Sequence, residues 1–343
     1  MKIAVTFLFV LLLTAFSGCF REWDINYPYG IVQTQVVNFT EINTQWDDMN
    51  SAGPPFIGNS FDFFLSTNRF SAGKNFDICH YDIDVFFSQT NGHFTITAER
   101  EKRCQESINS EAHEYGPLIV IPTSAKWNSY FSDCGYCESA SVLFFAGTGD
   151  AGGNDLDILV TEITMLRILS VDSSKNVLTF EAAALNSEYD DAYITFGPDR
   201  YLYFCSNRNG SFDIYACQLP YDVYDQLDSA LLLLIDTTVA ITPENVTALN
   251  SPGDDKCPYV NGNDMFFVSD RPGGEGGFDI WRSRYENGTW SEPVNAGQAI
   301  NTQYNEYRPV CIALEEYTNR LCLFSSDRPG GIGGYDIYRV GVD

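Results

Sequence analysis

Two short motifs alternate five times along this chain of 343 residues, and this repetition constrains the fold more than any other feature. In the first motif, an asparagine precedes an acidic residue by five positions, and a proline often follows three positions later. Its copies are Asn43 and Asp48, Asn109 and Glu114 with Pro117, Asn186 and Asp191, Asn250 and Asp255 with Pro258, and Asn301 and Glu306 with Pro309. In the second motif, a polar turn and a loop that is usually glycine-rich lead to an Asp-Ile pair. Its copies end at Asp77-Ile78, Asp157-Ile158, Asp213-Ile214, Asp279-Ile280 and Asp336-Ile337.

Each repeat predicts four short antiparallel strands. An extended stretch follows the acidic residue, an aromatic-rich run follows a turn, and the Asp-Ile pair opens a third run. The fourth run is clearest after Asn287-Gly288, a strong hairpin signal. Four-stranded units repeated around an axis form a β-propeller, so we predict an all-β fold with five blades and about 65 residues in each.

Two features of the repeat bear on the blade count. The 80 residues from Asp77 to Asp157 leave six blades as the alternative, but a long loop at residues 124–139, inserted in the second blade, explains this gap better. The last repeat ends after its third strand, so residues 31–39 are expected to supply the missing fourth strand. Such closure removes the exposed edges of the ring. The propeller domain therefore spans residues 31–343, and the apolar run 230–235 is interpreted as a buried strand.

The N-terminus predicts export and lipid anchoring. Lys2 precedes an apolar run of 13 residues, and small residues lead up to Cys19, which is the pattern of a signal peptide. Gly18-Cys19 also resembles the lipobox of bacterial lipoproteins, in which the cysteine is acylated. Residues 1–18 are therefore expected to be a lipoprotein signal peptide and residues 19–30 a short tether. Ordinary secretion with a cysteine near the cleavage site is the alternative.

Ten cysteines are present, and two pairs are candidate disulfides. Symmetric pairing of the last hairpin places Cys311 opposite Cys322, at a separation that a disulfide tolerates. Cys134 and Cys137 have the spacing of a redox motif, but they lack the strand-then-helix context of thioredoxin. A loop disulfide or two free thiols are the interpretations left open for that pair.

The charge and the repeated acidic residues bear on binding. Asp and Glu exceed Lys and Arg by 46 to 20, a net charge of −26, which excludes nucleic acid as a partner. The acidic residues of the first motif should meet near the axis of one face and are a candidate binding face for a cation, an amine or a basic peptide. In the alternative, each carboxylate bonds its own loop or a repeated arginine. The five are Asp48, Glu114, Asp191, Asp255 and Glu306.

The inserted loop is a second candidate recognition element. Residues 124–139 carry four aromatic side chains and few charges, and an exposed aromatic cluster often marks an interaction surface. In the alternative, the rings fold back and plug the mouth of the propeller opposite the acidic face. The four are Trp127, Tyr130, Phe131 and Tyr136.

No cofactor is predicted. The glycine-rich loops join strand to strand without a following helix, so they lack the geometry of a phosphate site. Residues 149–157 are rich in Asp, Asn and Gly, but they lack the ligand spacing of a calcium-binding EF-hand loop. No Ser-His-Asp set can be assigned from spacing.

The motif Ser-Asp-Arg-Pro-Gly-Gly followed by Asp-Ile-Tyr or Asp-Ile-Trp, found at Ser269 and Ser326, resembles the TolB-like, WD-repeat-like propellers of envelope lipoproteins. The resemblance implies a non-catalytic scaffold or binding module for a protein partner. It would be held at the bacterial cell envelope, in the outer membrane, through its lipid anchor alone. A carbohydrate- or peptidoglycan-binding module is the alternative, followed by a glycosidase that uses axial carboxylates.

Overall fold

The computed structural model describes residues 27–54, 56–57, 59–104, 108–122, 141–148, 155–163, 178–239 and 241–343. These residues form five antiparallel sheets, and the first strands of neighbouring sheets contact one another around a closed ring. The predicted five-bladed, all-β propeller is therefore confirmed. None of the helices in this part of the chain has the length and apolar character that a bilayer crossing demands.

The strands follow the repeat closely. Blade 1 contains β2 (Asp48–Ala52), β4 (Ser60–Thr67), β5 (Asp77–Phe87) and β6 (Phe94–Arg103). Blade 2 contains β7 (Glu114–Val120), β8 (Ser141–Gly147), β9 (Asp157–Ile163) and β10 (Thr179–Glu181). Blade 3 contains β11 (Asp191–Phe196), β12 (Tyr201–Ser206), β13 (Asp213–Gln218) and β14 (Glu244–Asn245). Every acidic residue of the first motif thus opens the innermost strand of its blade, and every Asp of the second motif opens the third strand.

The last two blades keep this order with small additions. Blade 4 contains β15 (Asp255–Asn261), β16 (Asp264–Ser269), β17 (Asp279–Glu286) and the short strands β18 (Thr289–Trp290) and β19 (Val294–Asn295). Blade 5 contains β20 (Glu306–Leu314), β21 (Arg320–Ser326), β22 (Asp336–Val342) and β1 (Val37–Asn38) from the N-terminal side. The short strand β3 (Phe56–Ile57) pairs in parallel with the end of β20. Because β1 pairs with β22, the expected N-terminal closure is also confirmed.

Asparagines of the first motif tie adjacent blades together. The Asn250 side chain accepts a hydrogen bond from the Ile214 amide at 2.8 Å and donates one to the Ile214 carbonyl at 2.9 Å. Asn301 makes the same two bonds to Ile280, and Asn43 makes them to Ile337 across the closure. Each asparagine therefore satisfies one backbone unit of the preceding blade, as a neighbouring strand would.

The core lies between the blades, and strand alternation divides its residues. In β4, Phe63 and Leu65 pack toward blade 5, whereas Phe64 lies between them and packs toward blade 2. Since both faces of each sheet are covered, the strands read as nearly continuous apolar runs.

One element differs from its sequence-based interpretation. Residues 230–235 belong to helix α1 (Leu227–Ile235), not to a strand. Leucines dominate this run, and leucine favours helix, whereas the β-branched residues that favour strand are nearly absent from it. Leu227, Ala230 and Leu234 are buried on one side of the helix, against the core between blades 2 and 3.

Candidate functional site at the propeller axis

The repeated carboxylates are buried in every blade, with at most 2% of their surface exposed. Asp191 accepts hydrogen bonds from the amide and hydroxyl of Ser187, both at 2.7 Å, and from Arg208 at 2.6 Å. Glu306 is held in the same way by Thr302 and by Arg328. These carboxylate oxygens bind their own loop and their own arginine. This is the alternative interpretation from the sequence, not the expected binding face for a cation, an amine or a basic peptide.

In blades 3, 4 and 5, the arginine of the pair is itself held between two aromatic rings. Arg271 lies 5.0 Å from the centre of the Phe267 ring and 5.1 Å from that of Trp281, while it binds Asp255 at 2.5 Å. Cation–π contact of this kind adds to the ion pair and fixes the guanidinium plane. The same arrangement recurs at Arg208 and Arg328. We conclude that the carboxylate–arginine pair stabilises the blade in which it lies.

Blade 2 departs from this pattern. Glu114 accepts bonds from the Ser110 amide at 3.0 Å and its hydroxyl at 2.6 Å, but the sequence places Gly149 where the other four blades carry arginine. The surroundings of the five carboxylates are therefore unequal at one position.

A β-bulge lies two residues after each carboxylate, and the residue at the bulge differs from blade to blade. The register of every innermost strand shifts at this point, and each bulge residue has a positive φ, between 46° and 59°. Bulges re-aim side chains and often flank functional sites, and a positive φ in a residue other than glycine stores strain. The five bulge residues, here called the axial ring, are Asn50, Gly116, Tyr193, Cys257 and Arg308.

The axial ring residues meet one another although they come from five separate blades. The guanidinium of Arg308 lies 5.2 Å from the centre of the Tyr193 ring, and it donates to the carbonyl of Pro117 at 3.1 Å. Asn50 contacts the Tyr193 hydroxyl at 3.4 Å. At Gly116 a side chain would collide with the Tyr193 ring, so glycine makes room for that ring.

Burial sets the chemistry of the ring. Asn50, Cys257 and Arg308 are fully buried, whereas Tyr193 keeps part of its surface accessible. Among the residues that the structure describes, Arg308 forms no ion pair, and burial lowers its pKa. Burial also raises the pKa of Cys257 to about 12 and that of Tyr193 well above its ordinary value. The thiol and the phenol therefore stay protonated, so the Tyr193 hydroxyl is neutral.

Half-buried aromatic rings surround the axial ring on the face where the innermost strands begin. Tyr307 lies 5.2 Å from Phe278 and 6.4 Å from Tyr335 between ring centres, and Phe76 lies 5.0 Å from Tyr115. Lys256 lies between Phe212 and Phe278, 4.4 and 4.9 Å from their ring centres. This group, here called the aromatic collar, consists of Phe76, Tyr115, Phe212, Phe278, Tyr307 and Tyr335.

Glycines of the second motif serve packing. A side chain at Gly274 or Gly331 would collide with the carboxylate of Asp279 or Asp336, which crosses the loop to bind its amides. The close approach of the carboxylate therefore explains why the loop carries glycine.

The remaining sequence-predicted residues divide into two groups. Cys311 lies opposite Cys322 in the register of β20 and β21, and a disulfide joins them. The other predicted site residues lie outside the described residues, as does most of the calcium-like stretch 149–157. They are Cys19, Cys134, Cys137, Trp127, Tyr130, Phe131 and Tyr136.

The axial ring is not among the residues predicted from the sequence, because those predictions rest on residues that all repeats share. The sequence signal for the axial ring is a difference between repeats. Two positions after the repeated carboxylate, the five repeats carry five different residues. In a repeat protein, residues that all repeats share stabilise the repeat itself. Residues that differ between repeats and meet at one place in the fold can form a ligand-binding site.

No family model matches the chain, and no curated protein matches it, but solved structures do. An exo-β-1,3-galactanase from Clostridium thermocellum is 10% identical, with a TM-score of 0.50 over 92% of this chain and 63% of its own. An α-L-arabinofuranosidase from Podospora anserina, solved with cellotriose, is 8% identical, with a TM-score of 0.48 over 92% of this chain and 98% of its own. A putative TolB from Agrobacterium tumefaciens is 11% identical, with a TM-score of 0.38 over 91% and 99%. Likeness at such identities concerns the fold alone.

The galactanase corrects one expectation. The sequence-based expectation that this protein is a non-catalytic module is contradicted, because an exo-β-1,3-galactanase has a similar fold over 92% of this chain. A propeller of this kind is therefore no argument against enzymatic activity.

Proposed function

We propose that this protein recognises a saccharide at the axis of the propeller, inside the aromatic collar. The observation that carries the proposal is the axial ring, where five equivalent strand positions hold five different residues. Pockets for small ligands combine apolar or aromatic walls with a few placed polar groups. The collar and the hydroxyl of Tyr193 supply both.

Aromatic rings suit the apolar face of a sugar ring, because a flat, rigid surface buries it at little cost in side-chain entropy. Tyr307 is the central collar residue on the side of blades 4 and 5, where it contacts Phe278 and Tyr335. Arg308 is fully buried and does not reach the ligand; it positions the Tyr193 ring. The net charge of −26 favours a neutral saccharide over a polyanionic one.

Hydrolysis of the bound glycan is the second candidate. The fold shared with an exo-β-1,3-galactanase supports it, and Glu114 is the axial carboxylate whose repeat lacks the arginine. A glycosidase needs two carboxyl groups in unequal surroundings. Release of reducing ends from each bound glycan, measured for the wild type and for Glu114→Gln, tests this candidate.

We further propose that acylated Cys19 holds the protein at the bacterial envelope, where glycans or an envelope protein partner are accessible. The lipobox-like Gly18-Cys19 supports this. Mass spectrometry of the mature N-terminal peptide should find acyl chains on Cys19. An unmodified cysteine or a different cleavage site would contradict it.

The binding proposal is tested by calorimetry with a panel of neutral oligosaccharides, β-1,3-galactan and peptidoglycan fragments included. Tyr307→Ala should weaken binding by about tenfold or more, because it removes a stacking surface. Tyr193→Phe should weaken it by about two- to tenfold, because it removes one hydrogen bond.

Tyr189→Ala is the matched control, since Tyr189 is an exposed tyrosine in the loop that precedes β11, on the same face of the propeller as the collar. It should leave the affinity unchanged. Equal effects of the Tyr189 and Tyr307 substitutions, or no saccharide bound by the wild type, would overturn the proposal.

A further inference from the structure

A histidine and two aspartates converge on blade 1, away from the axis. In the register of β4 and β5, Asp62 lies directly opposite Asp82, and Phe64 lies opposite His80. Residues two apart on a strand share a face, so these four side chains lie on one face of the sheet. One ligand atom from each of Asp62, His80 and Asp82 lies within 4.8 Å of the others.

His80 is the buried member of this group. Its side chain is 1% exposed, and its ring lies 5.0 Å from that of Phe64. Nε2 is 3.0 Å from the Asp62 Oδ1 atom and 3.9 Å from the Asp82 Oδ1 atom. Among the described residues, Nδ1 has no hydrogen-bond partner. A buried imidazole whose Nε2 atom faces two carboxylates has the orientation of a metal ligand.

The carboxylates border an open cavity of about 380 Å³. Asp62 and Asp82 are 33% and 39% exposed, so an ion could reach them from solvent. The cavity wall adds Ser60, Asp84 and Glu99, and Glu99 on β6 lies directly opposite Asp82 on β5. Like charges placed opposite one another on adjacent strands destabilise a sheet, and a bound cation would remove this cost.

We propose that Asp62, His80 and Asp82 bind a divalent transition-metal ion, with water in the remaining coordination positions. One imidazole with carboxylates suits Zn²⁺ or Mn²⁺, because imidazole is a poor ligand for Ca²⁺ and Mg²⁺. The site lies on the second and third strands of blade 1, and it is independent of saccharide binding at the axis.

Calorimetric titration of metal-free protein with Mn²⁺ is the main test, because thiols compete weakly for Mn²⁺. Zn²⁺ is the second probe, and salt at about 0.15 M screens diffuse binding to the acidic surface. The wild type should bind one Mn²⁺ ion with defined stoichiometry. Asp62→Asn and His80→Gln should each weaken binding by about tenfold or more.

His93→Gln is the matched control, because His93 is an exposed histidine in the turn between β5 and β6. It should bind Mn²⁺ as the wild type does. If His80→Gln fails to fold, Asp62→Asn decides, since the asparagine oxygen still accepts a hydrogen bond from His80.

Thermal unfolding gives an independent readout, since a ligand that binds only the folded state raises Tm. Mn²⁺ should raise the Tm of the wild type and of His93→Gln, and raise that of Asp62→Asn much less. Absence of Mn²⁺ and Zn²⁺ binding, or an affinity that Asp62→Asn leaves unchanged, would overturn the proposal.

Discussion

The buried carboxylate–arginine pairs differ from ordinary surface ion pairs in what surrounds them. Asp255 is fully buried and binds the Ser251 amide at 2.6 Å, and Arg271 is 12% exposed and lies between two rings. By contrast, Arg284 and Glu286 are 51% and 64% exposed. Solvent screens the exposed pair, whereas loss of one partner of the buried pair leaves an uncompensated charge.

Substitution Asp255→Ala should therefore lower the free energy of unfolding by about 3–5 kcal/mol. Glu286→Ala, the control at the surface pair, should change it by less than about 0.5 kcal/mol. Denaturant unfolding of the two variants measures both. Similar values for the two would show that the repeated pair does not stabilise the blade.

Asp157 should give stability a specific pH dependence. Burial, together with the nearby Asp155 carboxylate, raises the pKa of Asp157 to about 6. The folded protein therefore holds this proton between about pH 4 and about pH 6, where the unfolded chain releases it. The contribution of Asp157 to stability is present at low pH and is lost as the pH rises through this range.

Asp157→Asn removes the titration, so its Tm should increase relative to that of the wild type as the pH rises from about 4 to about 7. Thermal unfolding across this range measures the difference. Glu292→Gln, at an exposed carboxylate, should show no such trend. A Tm difference for Asp157→Asn that is constant with pH would contradict this assignment.

At the scale of elements, ring closure depends on a short N-terminal segment. Among the described N-terminal residues, the strand pairing with β22 is limited to Val37 and Asn38, but neighbouring residues reinforce the contact. Phe39 is fully buried, and its amide donates to the Ile337 carbonyl at 2.9 Å. Upstream, Val32 exchanges two hydrogen bonds with the Asn319 side chain, both at 2.9 Å.

Phe39→Ala should lower the free energy of unfolding by about 3–5 kcal/mol, because it leaves a cavity at the closure. Deletion through residue 39 should destabilise the whole propeller in one transition. Tyr29→Ala, at a side chain that is 59% exposed, is the control and should be nearly neutral. A truncated chain that melts like the wild type would show that closure does not hold the ring together.

The sequence predicted the elements where each has a local signal. The acidic residue marks the start of the first strand, Asp-Ile marks the third, and the incomplete last repeat indicates closure. Helix α1 was missed because a short apolar run does not distinguish a buried strand from a helix. The bulges were missed because neither Cys257 nor Arg308 belongs to a residue type that favours the left-handed backbone conformation found there. The packing of five strands around one axis imposes that conformation.

In the whole molecule, the residues that all blades share differ in role from the residues that are specific to one blade. Residues that every blade shares, such as the carboxylates and their asparagines, are used within or between blades. The axial ring position carries a different residue in every blade, and no other repeat carries the full set Asp62, His80 and Asp82 of the proposed metal site. No single repeat contains the axial ring, so its geometry could not be read from the sequence one repeat at a time.

Saccharide binding at the axis can be examined directly in a crystal structure of the protein with its tightest-binding oligosaccharide. We expect a sugar ring stacked on the collar near Tyr307, with a sugar hydroxyl group within hydrogen-bond distance of the Tyr193 hydroxyl. A saccharide bound on the opposite face or on the outer side of a blade, with the axis free of ligand, would contradict it.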